Sequence, residues 1–492
     1  MKKRSLGHLE PRGLWEHFLG ITSVPRCSGC EERVRNHVLE IAARNGLSFV
    51  TDAAGNVIVR KRPHPDMADS PGVVLQSHLD MVCEKNLDVS HDFATDPIEV
   101  VREGDWISAD GTTLGADNGI GVAAMLALLE DRRLVHGPLE ALFTVDEERG
   151  LHGASALEKG LLEGRILLNL DSEEEGALVI GCAGGADTFL EMPLERRDAA
   201  APGVELELKV KGLRGGHSGI DIHLGRGNAL KILAGALDAL SGSIPFELIG
   251  IHGGDKHNAI PREARALLRL GKEEIGEIER ARKVLDQVLG SARADYRATD
   301  PELEWALSPA AEPGLPLRSE QRQLLMDLLR ILPHGVLAMS PAIPGLVETS
   351  TNLASVRTED ARVEIVASSR SARAAALEEV RGSLRALARV AALKIRQPEG
   401  YPGWLPDPES PLVARMTETY RDLFGTNPVI KALHAGLEPA VLAGKYENMR
   451  MISFGPEIRD PHSPREKVSI PSVERFWRLL TQALARMSAL DG

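Results

Sequence analysis

The chain has no apolar run approaching the ~18 residues of a membrane span, which argues against an integral membrane protein. It has only four cysteines in 492 residues, so a disulfide framework is not expected. One pair, Cys27-Ser28-Gly29-Cys30, has C-x-x-C spacing, but no second pair completes a zinc knuckle and no βαβ unit surrounds it. Ser28 with Glu31 instead fits a capping box opening a helix over 29–42. Low-complexity tracts and solenoid repeats are absent. Positive charge is in deficit: the formal net charge of -13 argues against nucleic acid or an anionic membrane as main partner. The basic start Met1-Lys2-Lys3-Arg4 has no apolar signal core behind it, because Glu10, Arg12, Glu16 and His17 interrupt one. A reducing cytoplasm is the expected compartment.

What is present is the composition of an ordinary globular protein, 43% hydrophobic and 26% charged. A chain of 492 residues exceeds one core, so two or more domains are expected. Residues 57–60, 72–77, 139–145 and 166–170 read as strands, and 115–130 as an apolar helix. Strands alternating with helices predict an α/β domain with a mainly parallel central sheet. The texture changes near residue 186. Val204–Val210 alternates apolar and charged residues, a strand with one wet face. Helices near 226–240, 272–290 and 372–390, with strands near 246–252, 264–270 and 362–365, make an α+β region. From about residue 399 the α/β texture returns, with a helix over 411–424, strands over 429–433 and 451–454, and a closing helix over 472–488. The expected organisation is a catalytic domain built from 1–186 and 399–492, with 187–398 inserted in it.

Five candidate metal ligands punctuate that frame: His78, Asp117, Glu148, Asp171 and His462. Two imidazoles and three carboxylates suit borderline divalent ions such as zinc. One carboxylate can bridge, so five ligands and a shared water could build a two-metal hydrolytic site. His78, Glu147, Glu148 and Asp171 all follow apolar strands, at the carboxyl ends where α/β sites gather. Asp80 lies two residues from His78 on extended backbone, on the same side, and can accept the imidazole's distal N–H. Glu147 beside Glu148 could divide the work, one taking a proton from water and the other binding metal. The bland readings are a polar strand end for His78, an N-cap for Asp117, a solvated acidic turn for Glu147 and Glu148, and a surface loop for His462. Asp171 is assigned to the site and the glutamates 173–175, after Ser172, to solvent. His217, in a Gly-rich turn, could donate to an oxyanion, or be a surface histidine.

Together, Ser77-His78-Leu79-Asp80-Met81-Val82, Leu114-Gly115-Ala116-Asp117-Asn118-Gly119, Thr144-Val145-Asp146-Glu147-Glu148, Gly216-His217-Ser218-Gly219, His434-Ala435-Gly436-Leu437-Glu438 and the His462 loop resemble one family. It is the co-catalytic zinc dipeptidase, carboxypeptidase and deacylase family, and within it the aminoacyl-histidine dipeptidase branch. The resemblance runs nearly end to end. It implies a zinc-peptidase-like domain with an inserted α+β lid, long enough to be two ferredoxin-like halves. It implies two Zn2+ per subunit, with Co2+ or Mn2+ suiting the same ligands. His78 and Asp171 resemble terminal ligands of one ion, Glu148 and His462 those of the other, and Asp117 the bridge. Glu147 matches the general base, Asp80 the acid orienting His78, and His217 a lid histidine reaching the substrate. Asn258, Arg370, Gly436 and Glu438 look like substrate contacts. The implied activity is hydrolysis of dipeptides, Xaa-His among them, with a small peptide as partner; whether a homodimer supplies His217 in trans stays open. Departures are Cys27 where relatives carry proline, and Pro439-Ala440 where they carry Cys-Gly. A deacylase or tripeptidase of the same architecture, or a non-catalytic metal-binding protein, are the alternatives.

Overall fold

A strand buried on both faces reads as a mainly apolar run. Val73–His78, Leu139–Thr144, Ile166–Asn169 and Ala177–Cys182 are buried at every position. In a computed structural model, which describes residues 9–197, 203–271, 275–311 and 314–487, these strands form the middle of an eight-stranded sheet. Its order is Ser48–Thr51, Val57–Lys61, Leu139–Thr144, Val73–His78, Ile166–Asn169, Arg450–Ser453, Ala177–Cys182, Val429–Leu433.

Val73–His78 runs parallel to both neighbours, and Arg450–Ser453 runs parallel to Ile166–Asn169. The flanks are antiparallel, so the sheet is mixed rather than mainly parallel. The cause at one edge is a tight hairpin: the Asp52 carboxylate accepts from the amides of Gly55 and Asn56, turning the chain straight back. Helix Ala116–Glu130 is rich in Ala and Leu and buried on all sides, packed against helix Arg12–Thr22.

The chain divides into two compact units. One comprises Met1–Cys182, Trp404–Ala432 and Leu437–Gly492, and the other Ala183–Gly403 and Leu433–Gly436. The first also holds a four-stranded antiparallel sheet of Ile458–Arg459, Lys467–Ser469, Trp106–Ala109 and Val100–Glu103. Its hairpin turn carries His462, and strand Trp106–Ala109 leads toward Asp117.

Among the described residues the second unit holds an antiparallel sheet of nine strands, covered by helices Ala229–Ser241, Ile275–Asp295, Ser319–Ile331 and Ala374–Val390, and a two-stranded ladder of Gly216–His217 with Ala259–Ile260. In Gly203–Lys211 the alternating Leu206, Leu208 and Val210 face the core, and Glu205, Glu207 and Lys209 face outward. Two blocks of strands meet through a short ladder, His252 opposite Arg357 and Gly253 opposite Val356, and share one apolar core. At one end of the seam between Val347–Thr358 and Arg362–Ser371 the buried side chains include facing hydroxyls. Thr349 bonds Ser371 at 2.9 Å and Thr351 bonds Ser369 at 3.0 Å.

Two local expectations fail. Ser28 does not cap a helix: the helix runs Glu32–Arg44 without a side-chain cap, and the Ser28 hydroxyl bonds Asp80. Cys27 and Cys83 form a disulfide, their Cα atoms 5.7 Å apart. The segments holding them lie side by side, Cys27 bridging to Met81, so a pairing across 56 residues comes from the fold rather than from sequence spacing.

The second unit should lose stability in acid. Burial, reinforced by Lys231, pushes the His334 pKa down to about 4. A depressed histidine contributes stability in full above its unfolded pKa, near 6.5, and loses it as pH falls toward 4. From about pH 7.5 to pH 5, His334→Gln should therefore lose less unfolding free energy than the wild type, by about 2 kcal/mol in urea titrations. Equal losses would refute this.

Candidate metal centre and active site

Each candidate ligand stands where a buried strand or tight turn ends. His78 is the last residue of its strand and is 1% exposed. Its Nε2 lies 3.2 Å from Asp117 Oδ1 and 3.3 Å from Asp171 Oδ1. His462 Nε2 lies 3.0 Å from Asp117 Oδ2 and 3.1 Å from Glu148 Oε2. The two imidazoles, 384 positions apart in sequence, thus flank the two oxygens of one carboxylate. The Asp117 side chain faces them, not the first amides of its helix, and its own backbone is extended rather than helical. His462 has a positive φ of 58°, a conformation costly for a non-glycine residue and concentrated at functional sites.

Asp80 is fully buried beside His78. The imidazole Nδ1 bonds the Asp80 backbone oxygen at 3.1 Å, with the carboxylate at 3.4 Å. That carboxylate also accepts from the amides of Glu147 (3.0 Å) and Glu148 (3.2 Å). One acid therefore orients the histidine and both glutamates.

The electrostatics are those of a site short of positive charge. Burial would raise the Asp117 pKa, but bonds to His462 and His78 hold it far below the usual carboxylate range. Burial raises Asp171 to about 6, against the pull of His78, and raises Glu147 well above its ordinary value. Burial lowers His462, yet Asp117 and Glu148 together lift it to about 11. Here protons and imidazolium charge do what cations would do. The ligand atoms of His78, Asp117 and Asp171, and those of Asp117, Glu148 and His462, lie within 4.8 Å of one another. Glu148 Oε1 is buried with no donor. Two oxygen- and nitrogen-rich triads sharing one carboxylate fit a pair of divalent ions.

On the second unit, the His217 Nδ1 accepts from the amides of Gly219 (3.1 Å) and Ile220 (3.0 Å). Burial, with Arg370 nearby, pushes its pKa down to about 4. The ring is therefore neutral at pH 7 with its proton on Nε2, a donor set in advance. His217 and Asn258 line a cavity of about 630 Å³. Arg370 is buried, donates to the Tyr401 hydroxyl at 2.6 Å and leaves its Nε unpartnered. A Cβ at Gly436 would press on the Tyr401 ring. Glu438 belongs to the first unit and is 0% exposed; it accepts from Gln76 and, at 2.7 Å, from Thr144, and its Oε1 has no donor.

Residues 74–486 match the sequence profile of Peptidase family M20/M25/M40. The chain belongs to that family. The cytosol non-specific dipeptidase of Escherichia coli (strain K12) is 40% identical to this M20 peptidase over 484 residues, 98% of this chain and 99% of that protein. The crystal structure of aminoacylhistidine dipeptidase from Vibrio alginolyticus matches it with a TM-score of 0.87 and 38% identity, covering 98% of both chains. A tripeptidase from Staphylococcus aureus, TM-score 0.50 and 16% identity over 98% of this chain and 100% of that one, shares the fold alone. The sequence resemblance to zinc dipeptidases and the expectation of an enzyme acting on peptide bonds hold for the M20 peptidase.

Two neighbours of the metal centre and one histidine of the second unit escaped the sequence. Glu173, assigned to solvent, is half-buried with its carboxyl bonded to Asp117, and burial raises its pKa to about 9. Asn118 donates to the Leu170 carbonyl at 3.0 Å and to Asp171, holding that carboxylate in place. His434 bonds Ser350 at 2.7 Å and keeps its Nδ1 unpartnered. The sequence signals available were the acid two residues beyond Asp171, the amide beside Asp117, and the histidine of His434-Ala435-Gly436-Leu437-Glu438.

Proposed function

We propose that this peptidase is a cytoplasmic dipeptidase with broad side-chain tolerance, Xaa-His dipeptides included, working with two divalent ions, zinc first and cobalt or manganese as substitutes. The observation that carries the reading is the pair of imidazoles, His78 and His462, on the two oxygens of Asp117. His78 and Asp171 are assigned to one ion, Glu148 and His462 to the other, and Asp117 to both. When bound, such ions lower the pKa of a shared water and polarise the substrate carbonyl.

The remaining chemistry belongs to side chains. Glu147, held through its amide by Asp80, accepts the water's proton and passes it to the leaving amine. Its raised pKa suits a group that must take a proton and return it. His217 is assigned the donor to the oxyanion, a role its Nε2–H tautomer permits. Asn258, Arg370, Gly436 and Glu438 are assigned to the substrate, and 187–398 is assigned as the lid inserted between 1–186 and 399–492. Names of relatives support the choice of dipeptides: one at 40% identity is a cytosol non-specific dipeptidase, and one at 38% is an aminoacylhistidine dipeptidase. No helix among the described residues is long and apolar enough to cross a membrane. In a reducing compartment Cys27 and Cys83 stand as adjacent thiols.

The test couples metal analysis to a substrate panel of carnosine, other Xaa-His dipeptides, triglycine and N-acetyl amino acids. Two ions per chain and turnover confined to dipeptides are expected. Faster hydrolysis of triglycine or of the N-acetyl compounds would replace the dipeptidase reading with a tripeptidase or deacylase. Two bound ions without any hydrolysis would make it a metal-binding protein.

A further inference from the structure

Four residues after His462, in the same hairpin turn, Glu466 is 2% exposed. Its carboxylate takes four consecutive backbone amides from a segment some 350 residues away. Oε2 accepts from Leu114 (2.8 Å) and Gly115 (2.9 Å), and Oε1 from Ala116 (2.7 Å) and Asp117 (3.1 Å). A carboxylate has about four acceptor positions, and here each is used. The segment can turn its amides to one point because Gly115 adopts φ 68°, where a Cβ would overlap the Arg26 guanidinium and the Met81 sulfur.

The buried Arg26 donates to the carbonyls of Leu79 and Asp80, each at 3.0 Å, and of Gly115. A buried anion gathers the N–H groups of the segment while a buried cation gathers carbonyls around it. The last amide that Glu466 holds is that of Asp117, whose oxygens face His78 and His462. The turn that presents His462 therefore also sets the backbone of the carboxylate His462 faces.

We propose that Glu466 is a positioning residue for the two-ion centre: through four amides it aims Asp117 between His78 and His462 and ties that aim to the His462 turn. The inference rests on the ligand assignment above. Glutamine is the sharpest substitution, because it keeps the volume but points an NH2 donor at two of the four amides. Aspartate keeps the charge on a shorter arm.

The experiment is Co2+ titration of metal-stripped protein by calorimetry and visible absorption, for wild type, Glu466→Gln and Glu466→Asp, with circular dichroism as the folding check. Wild type should bind two Co2+. In Glu466→Gln the weaker-binding ion should lose affinity by about ten-fold or more, the usual effect of removing a group that orients a metal ligand. Its absorption bands should shift, and kcat lost at limiting Co2+ should return with excess Co2+ while KM stays constant. Glu466→Asp should fall between. Two ions at wild-type affinity with unchanged bands, and only a lower melting temperature, would overturn the proposal by making Glu466 a structural plug. Failure of both variants to fold would overturn it for the same reason. Fewer than two ions in the wild type would instead sink the metal assignment.

Discussion

Replacing Glu147 with Gln should lower kcat by about 10³-fold while two ions stay bound and KM barely changes. The side chain is half-buried against His78 and Glu148, in a group whose ligand atoms lie within 4.8 Å of one another. Glutamine matches its shape, so the Glu147 and Glu148 amides keep their bonds to Asp80 and the turn stays as it is. What disappears is a basic oxygen. An amide cannot take the proton of the attacking water or deliver one to the leaving nitrogen, and both transfers fall in steps governed by the barrier. Substrate binding uses neither, which is why kcat and not KM carries the effect. Stopped assays with carnosine and ion counts on the same sample check this. Near wild-type turnover with both ions present would remove Glu147 from the reaction.

Most of the candidate ligands stand out in the sequence because His78, Glu148 and Asp171 end or closely follow strands that are themselves legible. Val73–His78 and Leu139–Thr144 are buried throughout and open as mainly apolar runs, so the polar residues where each run stops stand out. The small sheet that carries His462 was not readable, since Ile458–Arg459 has two residues and no period. The polar seam of Val347–Thr358 hid in the same way, because Thr349, Ser350, Thr351 and Asn352 are buried without being apolar. Arg26 and Glu466 were invisible for a different reason. Arg26 has no charged neighbour and Glu466 sits between Arg465 and Lys467 like any surface charge, and the meaning of each lies in carbonyls and amides brought to it from far along the chain. Ser28 misled because Ser-x-x-Glu is a local pattern, and a fully buried acceptor, Asp80, competes for the same hydroxyl. Glu173 misled because three glutamates in a row suggest solvent, although the first of them turns inward to Asp117.

Asp117→Asn should be more damaging than loss of any terminal ligand. The carboxylate places one oxygen 3.2 Å from His78 Nε2 and the other 3.0 Å from His462 Nε2, so each half of the site has an anionic oxygen from the same group. An amide offers one oxygen and, in place of the other, an NH2 donor without charge. At least one half then loses its acceptor and meets a donor, and the pair of cations loses the negative charge between them. The segment itself should not collapse, because Glu466 holds it through backbone amides that the substitution leaves alone. The expected result is a folded protein with one ion or fewer per chain and kcat/KM down by about 10³-fold or more, a transition-state loss of about 4 kcal/mol. Excess Zn2+ should not restore it. His462→Ala, by contrast, leaves His78, Asp117 and Asp171 together, so it should keep one ion and recover part of its activity in excess Zn2+. The comparison is decisive because both substitutions touch the same imidazole–carboxylate contact, and only Asp117 serves both halves. If Asp117→Asn bound two ions and kept more than about a tenth of wild-type kcat/KM, the bridging role would be lost, and with it the reason for two histidines to meet there.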